Sequence, residues 1–183
     1  MLNWTIKFIT AAVLSHAFFL WVGPHIVMAK LDKSLKKAQT EYRPECGERW
    51  VEGVIYTNPD CLSDAASSRR PNPDFIYTLI PYDLKKGNLL VSAPVPSDDR
   101  YWSIHAHNRN TDAFYKITNT EIDGDRFKFL VTRDRNLRSD LSVAYASSNK
   151  GLILFRLTMK NFKEYSILDE FRRSTNRQYV ENL

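Results

Sequence analysis

Phe75-Ile76-Tyr77-Thr78-Leu79-Ile80-Pro81-Tyr82 decides the fold. Its eight residues are aromatic, β-branched or apolar, the composition of a half-buried strand. Lys85-Lys86-Gly87-Asn88 is a turn, and Leu89 to Ala93 is a short apolar strand ended by Pro94 and Pro96. Asp98-Asp99 turns the chain again, and Tyr101 to His107 alternates. Ala113 to Thr118 is short and aromatic. Asp123-Gly124, between Glu121-Ile122 and Phe127 to Val131, predicts a hairpin. Leu141 to Tyr145 and Leu152 to Met159 complete the strands, with Ser-Ser-Asn-Lys-Gly between them. Strands at roughly 8–12-residue spacing with turn signals between them predict a mainly β protein, an antiparallel β-sandwich of jelly-roll type. The period then changes. Asn161 can cap a helix whose apolar face is Phe162, Tyr165, Leu168 and Phe171; Glu164, Asp169, Glu170, Arg172 and Arg173 fall on the other face.

Upstream the chain is of another kind. Phe8 to Met28 carries no Asp, Glu, Lys or Arg, and about 20 apolar residues cross a bilayer as a helix. Trp4 and Trp21 stand near its ends, with Lys7 before it and Lys30, Lys33, Lys36 and Lys37 after it. A cleaved signal peptide is the competing reading, with Val27-Met28-Ala29 as its small-residue site. The length and the tryptophans favour an uncleaved anchor over residues 1–29, and His16 lies mid-span. Residues 30–45 form a polar helical stalk, and 46–183 form the sandwich with its C-terminal helix. Cys46 and Cys61 are the only cysteines. Bridged, they would require an oxidising compartment, which places the domain in the periplasm on a single-pass inner-membrane anchor. The four lysines after the helix pull the other way under the positive-inside rule.

The 183 residues hold 26 Lys+Arg against 21 Asp+Glu, a formal charge of +5. The signs are interspersed, as at Asp123, Asp125, Arg126 or Arg133, Asp134, Arg135, so no nucleic-acid stripe is present. Six glycines and two cysteines exclude collagen-like chains and disulfide-dense scaffolds. There is no Gly-rich phosphate loop. Neither Ser67-Ser68 nor Ser147-Ser148 sits in a nucleophile elbow.

Chemistry concentrates in Arg69-Arg70-Pro71-Asn72-Pro73-Asp74-Phe75-Ile76-Tyr77. Two prolines stiffen the loop. Asn72 and Asp74 either cap turns or form a polar cluster, in which Arg69 or Arg70 holds an anion, Asp74 serves as acid, base or orienter, and Tyr77 donates. His105 and His107 share one face of a strand. With Asp112, Asp74 or Glu121 they would make a weak facial site for iron, manganese or zinc; the plainer reading is two half-exposed strand histidines with no metal.

Three motifs in order carry a family resemblance: Arg70-Pro-Asn-Pro-Asp-Phe-Ile-Tyr-Thr; Tyr82-Asp83-Leu84 with Gly87; and Asp99-Arg100-Tyr101-Trp102-Ser103-Ile104. Over about Arg69 to Arg173 the chain resembles the bacterial family "domain of unknown function 1254". The resemblance implies a jelly-roll-like sandwich in an envelope protein and no established activity, with Asn72, Asp74, Tyr77, Asp83, Arg100 and Tyr101 at matched positions. Phe75, His105 and His107 depart from the family's pattern. Longer relatives continue into a second β-rich domain, which implies a partner protein supplying one in trans. The resulting expectation is an envelope protein that binds an envelope component or partner through Arg70, Asn72, Asp74, Tyr77, Arg100 and Tyr101. The alternative is a small hydrolase or lyase on an envelope glycan or lipid, using Asp74, Tyr77 or Tyr101, and His105 with His107.

Overall fold

The computed structural model describes residues 2–40, 49–51, 54–56, 72, 74–122 and 124–180. Arg70, Cys46 and Cys61, and with them the expected bridge, lie outside the described residues. Helix α1 (Leu2–Thr40) is followed by β1 (Arg49–Val51), β2 (Val54–Tyr56), β3 (Phe75–Asp83), β4 (Asn88–Pro94), β5 (Trp102–Asn108), β6 (Ala113–Thr118), β7 (Arg126–Thr132), β8 (Ser142–Tyr145), β9 (Lys150–Thr158), helix α2 (Tyr165–Arg172) and β10 (Asn176–Val180). One sheet has the order β1-β2-β3-β9-β5-β6 and the other β10-β4-β7-β8. The fold is mainly β, as the strand pattern predicts.

The strands alternate strictly where both faces matter. Along β3, Ile76, Thr78, Ile80 and Tyr82 are buried while Phe75, Tyr77, Leu79 and Pro81 are half-buried. The inward rows meet between the sheets around Trp102, Phe155, Phe129, Leu89 and Ile104, each at most 2% exposed. Trp102 and Phe155 pack edge to face, and Tyr115 stacks on Phe129 across the two layers. Gly151 is required where β9 passes β5: a Cβ there would collide with the His107 carbonyl and the Tyr82 hydroxyl.

Four expectations need correction. Asp123 lies outside the described residues, and the hairpin expected around it does not form. β6 and β7 belong to different sheets, and the loop between them carries the chain across the sandwich. Gly124 does take the positive φ, 107°, that a glycine turn uses. Pairing is decided instead by the apolar faces: Ile117 covers one side of the interior and Phe127 with Phe129 the other. Second, β8 runs parallel to β7, not antiparallel. The return loop from Arg133 to Leu141 makes this possible. Tyr145 pins it by donating its hydroxyl to the Leu137 carbonyl at 2.9 Å, beneath the Arg135 guanidinium. Third, the polar face of α2 is only partly solvated: Arg172 is fully buried and Asp169 nearly so, while Phe162 is 55% exposed. Arg172 Nε and Nη2 donate to Asp169 Oδ1 at 2.9 and 2.6 Å, and Nη1 donates to the Tyr77 carbonyl. Fourth, the expected C-terminal helix is present as α2 but is followed by β10, an unexpected edge strand beside β4. Asn161 does cap, accepting from Lys163 N–H at 3.0 Å, but at the 3-10 turn Phe162–Glu164 ahead of α2.

Candidate functional site: the outer face of the six-stranded sheet

Since β3, β9, β5 and β6 send alternate residues inward, the others form a grid on the outer face. The register sets Tyr77, Arg156, Ser103 and Thr118 in one row. The next row is Leu79, Leu154, His105 and Lys116. Arg156 is the centre of the first. Its Nε donates to Ser103 Oγ at 2.6 Å, and its guanidinium lies 5.5 Å from the centre of the Phe75 ring. Phe75 meets Tyr101 edge-on at 6.1 Å and Tyr77 at 6.2 Å. No carboxylate pairs with Arg156 among the described residues.

The electrostatics of the face are cationic. Hydrogen bonding with Ser103 holds the Tyr101 hydroxyl below its ordinary value, helped by the charges of Arg156 and Lys116. Burial holds the His105 imidazole below its ordinary value, and Arg156, His107 and Lys116 add to it. The buried Nε2 of His105 has no hydrogen-bond partner. His107 stands 6.1 Å away, ring to ring, with Nδ1 3.1 Å from the Thr111 carbonyl. No group of three His, Cys, Asp or Glu side chains able to hold a metal ion occurs among the described residues. The charges of Arg156 and Lys116, which add to this lowering, would also repel a metal ion.

The sequence candidates therefore divide. Tyr77, Tyr101 and His105 share this face. Asn72 and Asp74 are exposed in the turn at its edge, where Asn72 Oδ1 accepts from Asp74 N–H at 2.9 Å and the Asp74 carbonyl accepts from Met159 N–H at 2.7 Å. That is turn-capping geometry. Arg100 is engaged elsewhere. It donates to Asp98 at 2.7 Å, to the Thr158 carbonyl at 3.0 Å and to Glu164 at 3.4 Å, clasping the loop before β5 to the end of β9 and the turn before α2. Asp83 accepts from Lys85 N–H at 3.2 Å. Asp112 accepts from the Asn110 amide, and Glu121 from Thr118 N–H and Oγ1, so neither stands with the histidines as a ligand set. Arg156, Ser103 and Lys116 are the residues the sequence reading passed over. The available signal was Arg156, the one cation inside the apolar run Leu152 to Met159.

No curated protein sequence matches the chain. The VPA0106 protein from Vibrio parahaemolyticus, a crystal structure, is similar in fold, with TM-score 0.55 and 13% identity over 88% of this chain. A putative uncharacterized protein from Burkholderia cenocepacia aligns over 57% of this chain, with TM-score 0.44 and 14% identity. This chain spans 38% of the first protein's length and 31% of the second's. The family model described as "Protein of unknown function (DUF1254)" matches residues 56–177, more than half of the chain, so the chain belongs to that family.

Proposed function

We propose that this chain is a membrane-anchored binding protein whose sandwich takes an anionic envelope component on the outer face of its six-stranded sheet. One observation carries the reading: Arg156 is held by Ser103 and the Phe75 ring, among Tyr77, Tyr101 and Lys116, with no carboxylate to neutralise it among the described residues. A guanidinium fixed in this way is preorganised for a carboxylate or phosphate. Tyr101 and Phe75 offer ring faces to a sugar or apolar group beside it. The helix Asn3–Lys33 is long and apolar enough to cross a membrane. A periplasmic domain on an inner-membrane anchor, closed by a Cys46–Cys61 bridge, is the placement that fits an envelope ligand. Alkylation of the two thiols in intact cells only after reduction is the expected result; labelling without reductant would put the domain elsewhere.

The direct test is calorimetric titration of the full chain with acidic envelope glycan fragments. Arg156→Gln is expected to weaken binding about tenfold or more, the scale of one charge-assisted contact, at an unchanged melting temperature. Binding that is indifferent to Arg156→Gln overturns the site. A hydrolase or lyase is the second reading, favoured by the His105 imidazole, which burial holds below its ordinary value, sharing a face with the Tyr101 hydroxyl, also held below its own. Product release from the same fragments, lost in His105→Gln, would establish it.

A further inference from the structure

Helix α1 changes character at one point. Every side chain from Asn3 to Trp21 is exposed, whereas Val22, Gly23 and Pro24, and again Met28, Leu31 and Asp32, are partly covered. At Met28 and Leu31 the covering comes from the sandwich, where they pack with Leu79 and Leu152. Arginine and serine side chains of the sandwich cannot enter hydrocarbon, so the membrane-embedded stretch must end near Leu20. The tryptophans agree. From Trp4 to Trp21 is about 26 Å at 1.5 Å per residue, close to a hydrocarbon core about 30 Å thick. Lys7 lies over the Trp4 ring at the far end, its ammonium 5.6 Å from the ring centre.

A crevice of about 420 Å³ opens at the Trp21 level, between α1 and the turns that join β5 to β6 and β8 to β9. That volume is in the range of small-molecule sites. Arg109, on its sandwich wall, has no hydrogen bond or ion pair on its guanidinium among the described residues; its backbone N–H donates to Ser148 Oγ. Across from it, Leu20 and Pro24 share the helix face that lines the crevice. Pro24 has no N–H, so the Leu20 carbonyl lacks its helical donor. Asp112 adds a carboxylate to the sandwich wall. The turn carrying Arg109 and Asp112 is also strained, with Thr111 at φ 73°.

The site therefore offers a guanidinium with no partner among the described residues and, beside it, the Leu20 carbonyl without its helical donor and the Asp112 carboxylate, which also accepts from the Asn110 amide, at the depth of lipid headgroups. We infer that this crevice holds the phosphoethanolamine headgroup of a membrane phospholipid, with the phosphate on Arg109 and the ammonium on the Leu20 carbonyl and Asp112. The inference rests on α1 being the membrane span. A phosphocholine group presents the same phosphate but no N–H donor, which makes it the discriminating comparison.

The full-length protein is first floated with vesicles of phosphatidylethanolamine and phosphatidylcholine in equal amounts, then released and its retained lipids counted by native mass spectrometry. The wild type is expected to float and to retain phosphatidylethanolamine over phosphatidylcholine by about tenfold, the scale of one charge-assisted hydrogen bond. Arg109→Gln should float but retain neither lipid. Pro24→Ala, which restores the helical donor, should retain both without preference. Failure to float would remove the span and the crevice's occupant with it. Flotation with equal retention of the two lipids, or with retention unaffected by Arg109→Gln, would leave the span standing and overturn the headgroup site. Displacement of the lipid by millimolar inorganic phosphate would make this a free-anion site and likewise overturn the proposal.

Discussion

Arg172 carries the largest single commitment of the fold. Its guanidinium is wholly buried, pulled below its ordinary value by burial and held up by Asp169. Asp169 also accepts from Arg173 Nε at 2.8 Å. Asp169→Asn would leave a buried cation without its counter-charge, and the expected loss is about 3–5 kcal/mol in urea unfolding. Replacing both Asp169 and Arg172 by apolar residues of similar volume should cost much less, because no charge is then stranded. His105 gives the pH-sensitive residue. Its imidazole titrates below the ordinary 6.5, so the unfolded chain binds more protons in the window below that value. Stability is therefore present above pH 6.5 and is lost as the pH falls towards the folded-state value. Thermal melts of His105→Gln should show a flatter dependence across that window; an unchanged slope would assign the effect to another group.

At the scale of elements, Arg100 joins three of them: the loop before β5, the end of β9 and the turn before α2. The family resemblance places it with the binding residues, but its side chain is 11% exposed and spends its donors on Asp98, Thr158 and Glu164. Asp98 is in turn held below the usual carboxylate range by Arg100. Arg100→Ala is therefore expected to lower stability by about 1–3 kcal/mol, with hydrogen exchange quickening in α2, and to leave the ligand affinity of the folded fraction intact. A selective loss of affinity at full stability would return Arg100 to the site. α2 and the Asp123-Gly124 loop make the same point about local patterns. Helical period and turn chemistry were both readable, yet which face of α2 is covered and which strand follows the turn depended on sheets assembled from distant segments.

For the molecule as a whole, α1 has two jobs along its length: it is exposed from Asn3 to Trp21 and packs on the sandwich farther on, through Met28 and Leu31. Removing residues 2–20 should release the protein from membranes and leave the sandwich melting temperature unchanged. Removing 2–33 should also lower it, because Leu79 and Leu152 lose Met28 and Leu31. Equal melting temperatures for the two truncations would mean that the packed segment contributes nothing.

The sequence by itself determined the elements that depend on near neighbours. Strand alternation from Phe75 onward, the apolar stretch after Lys7, the cap at Asn161 and the family's three motifs are all local patterns, and period, capping and turn chemistry act within a few residues. It also picked out Tyr77, Tyr101 and His105, which share one face. Only the tertiary structure decided what those residues stand beside. Arg156 reaches Ser103 because β9 lies between β3 and β5, a pairing of segments about 50 residues apart. Arg172 is buried because α2 docks where Tyr77 presents its carbonyl. Arg109 faces α1 because the β5–β6 turn comes to the end of the sandwich beside the helix. Each of these depends on which distant surfaces bury each other, and the hydrophobic effect that drives that burial has no direction a local pattern can record.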